Sequence, residues 1–267
     1  MATRLISYFP EHKTYVEVFG GGGSVLFAKE PSLADIYNDI DSTLVSFFRV
    51  LRDEEQFKEF HKLVELTPYS REEFYFCRDH WKDTQDMVTR VFRWFVVARM
   101  SFAGEVGGSW SHSVTTSRRG MSKAVSAWLS IVEMLPEIHE RLSKVQIEHQ
   151  DFRSLIKAYD RVQTFFYCDP PYLLETRRSG GYDHEMSDAD HIDLLTILKQ
   201  VKGMVLISGY PSELYSKILD GWDYKEWDRV CSAAGNTVGT GILGEGSGKE
   251  KQSRIEAVWA NYTLPKD

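Results

Sequence analysis

The segment TYVEVFGGGGSVLFAKE, residues 14–30, limits most narrowly what this chain can fold into. TYVEVF alternates apolar and polar positions and is rich in β-formers, so it predicts a strand. Four glycines follow, Gly20–Gly23. Residues without a Cβ make a tight turn and let the backbone come close to a ligand. SVLFAKE then predicts a short helix, and SLADIYND a second strand ending in acids. Strand, glycine turn, helix, strand opens a dinucleotide-type α/β unit. The spacing is not G-x-G-x-x-G, and by itself a plain glycine-rich turn explains it equally well. Asp39 and Asp41 follow the turn by about 20 residues, where an acid receives the hydroxyls of a bound ribose. Capping the next helix is the alternative role for either acid.

The strand–helix alternation stops at Asp41. From there to about Lys144 the apolar residues recur at helical spacing, as in DSTLVSFFRVL, EEQFKEFHKLV, REEFYFCRDHW and DMVTRVFRWFVVARM. A Gly-, Ser- and Thr-rich loop, SFAGEVGGSWSHSVTTSRRG, precedes a further helical stretch in which Pro136 predicts a break. Alternation then resumes. KVQIEH, TFFYCD and GMVLISG predict strands; DFRSLIKAY, DADHIDLLTILKQV and SELYSKIL predict helices. YKEWDRV and SRIEAVWANY close the chain as a strand pair. The expected architecture is an α/β, Rossmann-like sheet built from residues 1–45 and 145–267, interrupted by a mostly helical insertion over 46–144.

Composition narrows the setting. The 267 residues contain no apolar run of membrane-spanning length and no signal-peptide pattern at the amino terminus. The three cysteines, Cys77, Cys168 and Cys231, are scattered. They exclude a disulfide framework and a CxxC metal site and suit a reducing cytoplasm. The histidines form no HxxxH or comparable cluster, so no metal is expected; His184 reads as a loop residue and His191 as a helix-surface residue. A net charge of -7 argues against an indiscriminate nucleic-acid coat but is compatible with a local basic groove.

The most specific stretch is FFYCDPPYLL, residues 165–174. An apolar strand ends in one acid, two prolines and a tyrosine. Proline carbonyls on a fixed backbone are preorganised acceptors, and the Asp169 carboxylate is another. Two acceptors at one point suit a donor with two hydrogens, an amine on a planar ring. Engaging both N–H bonds localises the nitrogen lone pair and makes it a better nucleophile. Tyr172 can stack on the ring's face. A solvated acid at a Pro-Pro turn is the plain alternative.

YVEVFGGGGSVLF, NDID, QDF, YCDPPY and the closing RIEAVWANY, in that order, resemble the Dam-like DNA adenine-N6 methyltransferases. The resemblance implies an S-adenosylmethionine-dependent methyltransferase sheet with a helical target-recognition insertion, acting on double-stranded DNA. It implies a cofactor turn formed by Phe19, Gly21, Gly23 and Ser24, with Glu17 at the strand end. It implies that Asp39 holds the ribose, that Asp151 and Phe152 meet the cofactor's adenine, and that Asp169, Pro170, Pro171 and Tyr172 form the catalytic tetrapeptide. The target adenine is then expected to leave the duplex for this pocket. DNA contact is expected from Arg99, Arg118, Arg119 and Lys123 in and around the loop, from Arg177 in TRRSGG, and from Tyr182 in GGYDHE. A monomer is expected, with a cognate restriction endonuclease as a possible partner. Members usually carry a Gly-Gly-Lys segment upstream of a helix resembling LISYFPEH, and this chain opens at MATRLISYFPEH, so weak cofactor binding is an expectation. Two other readings keep most of the pattern: a catalytically weak DNA-binding relative, and an enzyme acting on RNA adenine, a cytosine amine or a protein amide.

Overall fold

A computed structural model describes residues 1–102, 106–113, 117–176, 184–230 and 253–266. The chain divides into two compact units, Met1–Ile40 with Gln150–Asp267, and Asp41–His149. The first unit begins with α1 (Ala2–Ile6), β1 (Thr14–Glu17), α2 (Ser24–Ala28) and β2 (Ala34–Asn38). The second contains α3 (Ser42–Arg52), α4 (Glu54–Leu66), α5 (Arg71–His80), α6 (Met87–Met100), β3 (Ser117–Arg118), β4 (Met121–Ser122), α7 (Lys123–Leu142) and β5 (Val145–Glu148). The chain then returns to the first unit with α8 (Phe152–Tyr159), β6 (Thr164–Cys168), a 3-10 turn (Leu174–Thr176), α9 (Asp188–Leu198), β7 (Met204–Gly209), α10 (Glu213–Ile218), β8 (Asp223–Val230) and β9 (Ser253–Ala260).

Within the first unit the strands lie in the order β2-β1-β6-β7-β9-β8. β1 pairs in parallel with β2 and β6, and β6 with β7, while β9 runs antiparallel between β7 and β8. The closing pair predicted from sequence is therefore present, and its last strand inserts inside the sheet rather than extending it. Every residue of β6 is buried. That is why TFFYC reads as a continuous apolar run instead of alternating: parallel strands are covered on both faces. Val16, Ile36, Phe166, Val205 and Ile207 pack with Leu155 and Ile156 of α8 and Leu194, Leu195 and Leu198 of α9.

His191 belongs to this core and not to the surface expected for it. It is 0% exposed and shares a 2.9 Å hydrogen bond through Nδ1 with the Tyr215 hydroxyl. The reason is helical phase. His191, Leu194, Leu195 and Leu198 stand at i, i+3, i+4 and i+7, so the histidine heads the buried stripe of α9.

The second unit is mostly helical. Asp41 caps α3, accepting from the Thr43 N–H at 2.7 Å. α7 runs unbroken through Pro136, against the expected break. A proline inside a helix costs about 3 kcal/mol through a lost hydrogen bond and a clash. Burial of Trp128, Val132 and Leu135 before it and Leu142 after it opposes that cost. Each side also has an anchor: Trp128 Nε1 donates to the Thr67 carbonyl at 3.2 Å, and His139 Nδ1 meets the Leu51 carbonyl at 2.6 Å. The loop before α7 contains a small hairpin, β3 with β4, turned by Arg119 (φ 54°) and Gly120 (φ 73°). Two consecutive left-handed residues are what a tight hairpin turn demands.

Candidate active site

The site is built at the ends of parallel strands. The Val18 N–H donates to the Tyr167 carbonyl at 3.0 Å, so the chain leaving β1 stays beside the end of β6 as it enters the glycine turn. The turn is then tied to β2. The Gly20 N–H donates to the Asn38 carbonyl (2.8 Å), the Gly21 N–H to Asp39 Oδ2 (2.8 Å), and the Tyr37 hydroxyl to the Gly21 carbonyl (2.7 Å). Gly20 is required by space. A Cβ there would lie 2.1 Å from Cε2 of the fully buried Tyr37 ring. Gly23 is required by conformation, since it starts α2 with φ 66°. Ser24 opens that helix and is exposed.

Glu17 lies beneath the turn, 2% exposed, and accepts from the Tyr15 hydroxyl at 2.7 Å. Burial pushes its carboxyl up to about 8, and the nearby charge of Asp169 adds to the rise. Asp39 is half-buried at the rim and Asp41 is occupied as a helix cap. The two acids of NDID thus part company.

A cavity of about 200 Å³ opens beside the turn, lined by Val18, Phe19, Asn38, Ile40, Asp151 and Phe152 among others. The rings of Phe19 and Phe152 stand 5.8 Å apart. Asn38, 2% exposed, shapes one wall. Its Nδ2 donates to the carbonyls of Val18 (2.9 Å) and Gln150 (3.1 Å), and its Oδ1 accepts from the Gln150 N–H (2.9 Å). Asp151 caps α8 through the Arg153 N–H, and the Arg153 guanidinium lies 4.3 Å above the Phe152 ring. That guanidinium reaches Asp151 at 3.0 Å, Asp190 at 2.6 Å and Asp193 at 2.9 Å, fixing the mouth of the cavity to α9.

Asp169 stands exposed at the tip of β6. Its Oδ1 accepts from Ser208 Oγ, on the neighbouring β7, at 2.9 Å. Pro170 is buried, while Pro171 and Tyr172 are half-buried. The Tyr172 ring meets Tyr210 edge-on, centroids 4.6 Å apart, and its hydroxyl donates to Glu256 Oε2 at 3.1 Å. Burial, with the charges of Asp169 and Glu256 behind it, raises the Tyr172 pKa and keeps that hydroxyl a donor.

The model of the D12 class N6 adenine-specific DNA methyltransferases matches residues 1–232. The chain belongs to this family. Such an enzyme methylates adenine in DNA. Similar proteins include the type II methyltransferase M1.LlaDCHI of Lactococcus lactis subsp. cremoris, 30% identical over 78% of this chain and 76% of that protein. The type II methyltransferase M.MjaIII of Methanocaldococcus jannaschii is 26% identical over 80% of each. The DNA N-6-adenine-methyltransferase of Escherichia phage P1 is 26% identical over 79% of this chain and 29% of that protein.

Sequence reasoning about this D12 methyltransferase missed Asn38, Ser208, Tyr210 and Glu256. Ser208 left a trace as the one polar side chain in the apolar strand GMVLISG, and Glu256 as an acid directly before the apolar run AVWA. Of the residues expected to face DNA, Arg99, Arg118, Arg119 and Lys123 are all exposed, and Arg119 is ion-paired with Glu133 at 3.0 Å. Arg177 and Tyr182 lie outside the described residues. Among the described residues no group of His, Cys, Asp or Glu is arranged to hold a metal ion, and no helix is long and apolar enough to cross a membrane.

Proposed function

We propose that this methyltransferase takes its methyl group from S-adenosylmethionine and places it on N6 of an adenine turned out of the duplex into the Asp169–Tyr172 pocket. The observation that carries this reading is the position of Asp169. It stands at the carboxyl end of β6, next in the sheet to the strand that feeds the glycine turn, in the crevice where α/β sheets bind ligands.

The cofactor suits the residues present. The cavity between Phe19 and Phe152 has the flat apolar walls that a purine needs. Asp151 at its mouth can accept from a ring amine, and Asp39 is placed to accept from ribose hydroxyls. Gly21, Gly23 and Ser24 bring the backbone close to the rest, with Glu17 supporting the turn from below. When bound, S-adenosylmethionine supplies an electrophilic methyl group. Asp169 accepts one N–H of the target amine and the Pro170 carbonyl accepts the other, aiming the nitrogen lone pair in line. Pro171 stiffens the segment, and Tyr172 faces the base. Asp169 is then placed to receive the proton that the alkylated nitrogen releases.

Residues 46–144 serve as the target-recognition insertion. Arg99, Arg118, Arg119 and Lys123 meet the duplex from it, and Arg177 and Tyr182 from the segment after the tetrapeptide. The type II names of two relatives support a setting in which a cognate restriction endonuclease cuts the unmethylated site. Cys77 and Cys168, both free and far apart in the chain, support action in a reducing cytoplasm.

Incubation with S-adenosylmethionine labelled in its methyl group, and with DNA or RNA, tests the whole reading. N6-methyladenine should form in DNA. Label in RNA, cytosine or protein, or DNA binding with no transfer, would replace it. The recognition role has its own test. If Arg118 reads a guanine edge, Arg118→Ala should cost about 1–3 kcal/mol and relax the preference at one base pair. If it only meets phosphate, affinity should fall evenly across sequences and the salt slope should shrink by about one. Arg119 should give the smaller effect, because Glu133 already engages its guanidinium.

A further inference from the structure

Glu256 is an unexpected residue for its place. It is a carboxylate only 1% exposed, on a strand paired along both edges. Burying an ionised group is costly unless polar partners hold it. Its Oε2 accepts from the Tyr172 hydroxyl, 84 residues away in the chain, at 3.1 Å. The strand register sets that meeting: Glu256 pairs with Trp227 of β8, one residue before the Ala257 that faces Gly209 of β7. Tyr210, which follows Gly209, stands edge-on to the same tyrosine. The ring of Tyr172 is thus gripped at its hydroxyl by β9 and against its side by the residue leaving β7.

We infer that Glu256 is a positioning residue for methyl transfer, holding the Tyr172 ring at the angle at which the target base meets it. A phenol free at its oxygen would swing about two side-chain torsions. Tethered, it offers one fixed face to the base. The hydroxyl turned to Glu256 is thereby committed to the protein, and the ring is what the base meets. This inference rests on the proposed role of the Asp169–Tyr172 segment as the base pocket.

A double-mutant cycle in the intact enzyme tests it. Single-turnover methylation of a short duplex is measured for Tyr172→Phe, Glu256→Ala and the two together, with the cofactor dissociation constant alongside. Each single change should slow transfer roughly tenfold, the order expected for losing a hydrogen bond to a charged group. The double variant should be no slower than Tyr172→Phe to within about twofold, since that change already removes the Glu256 tether together with the hydroxyl's contact to Asp169. Cofactor binding should stay within about twofold of the parent, which a general loss of structure would not allow. Glu256→Gln, which keeps an acceptor, should recover most of the rate lost in Glu256→Ala and covers the case in which alanine fails to fold. Losses that multiply in the double variant, or a glutamine variant as slow as Tyr172→Phe, would overturn the inference. Tyr172→Ala separates the two levels. If it is as active as the parent, the base-pocket reading itself fails. If it is defective while Tyr172→Phe and Glu256→Ala are normal, only the tether fails.

Discussion

Asp169→Ala should lower turnover roughly 100- to 1,000-fold, a loss of about 2.7–4 kcal/mol of transition-state stabilisation, as for removal of a preorganised partner. The residue is exposed at a strand tip, so its side chain contributes little to packing. Thermal stability should hardly change. Cofactor affinity should weaken far less than turnover, because the cavity beside the glycine turn does not include Asp169. Single-turnover methylation and calorimetric cofactor titration on one preparation check both halves. A variant that methylates at near the parent rate would remove Asp169 from the chemistry.

The second large effect is one of pH and stability, and it belongs to Glu17. Its carboxyl titrates at about 8 in the fold because burial disfavours the charge, against 4.5 when exposed. Between those values the native state keeps a proton that the unfolded chain has released. Stability therefore falls as pH rises from about 4.5 to about 8, then levels off. At 1.36 kcal/mol per unit the full effect is on the order of 5 kcal/mol. Glu17→Gln imitates the protonated form and cannot ionise. It should match the parent in denaturant unfolding near the acid end of this window. Above the window it should be more stable, with a flatter profile. If the two proteins show the same pH dependence across the range, the carboxylate is ionised in the native state and the effect is absent.

The parts of this molecule that were legible in sequence are those set by local rules. β1, the glycine turn, α2 and β2 follow from β-forming residues, four residues without side chains, and a short apolar run; the alternation expected of β1 is absent, since Tyr15, Val16 and Glu17 are all buried between parallel neighbours. β6 and its tetrapeptide follow from an apolar stretch stopped by two prolines. What sequence hid depends on distant partners. Pro136 looks like a break until the burial of Trp128, Val132, Leu135 and Leu142 along the same helix is known. His191 is polar by type, yet its phase in α9 places it with three leucines. Ser208 is the one polar side chain of β7, and Glu256 is an acid at the edge of the apolar run of β9. Only the sheet order, with β9 between β7 and β8, reveals that one meets Asp169 and the other Tyr172.

That sheet order also sets a timetable. Thr14 of β1 pairs with Thr164 of β6, so during synthesis the amino-terminal strand waits for some 150 residues to emerge, roughly 8–30 s at typical ribosomal rates. Residues 41–149 are contiguous and can complete their fold in that interval. β8 emerges before β9, the strand it pairs with, and β7 keeps an open edge until β9 arrives. The tether on Tyr172 arrives with that same strand. The Tyr172–Glu256 contact therefore cannot form until β9 has been made and has taken its place between β7 and β8.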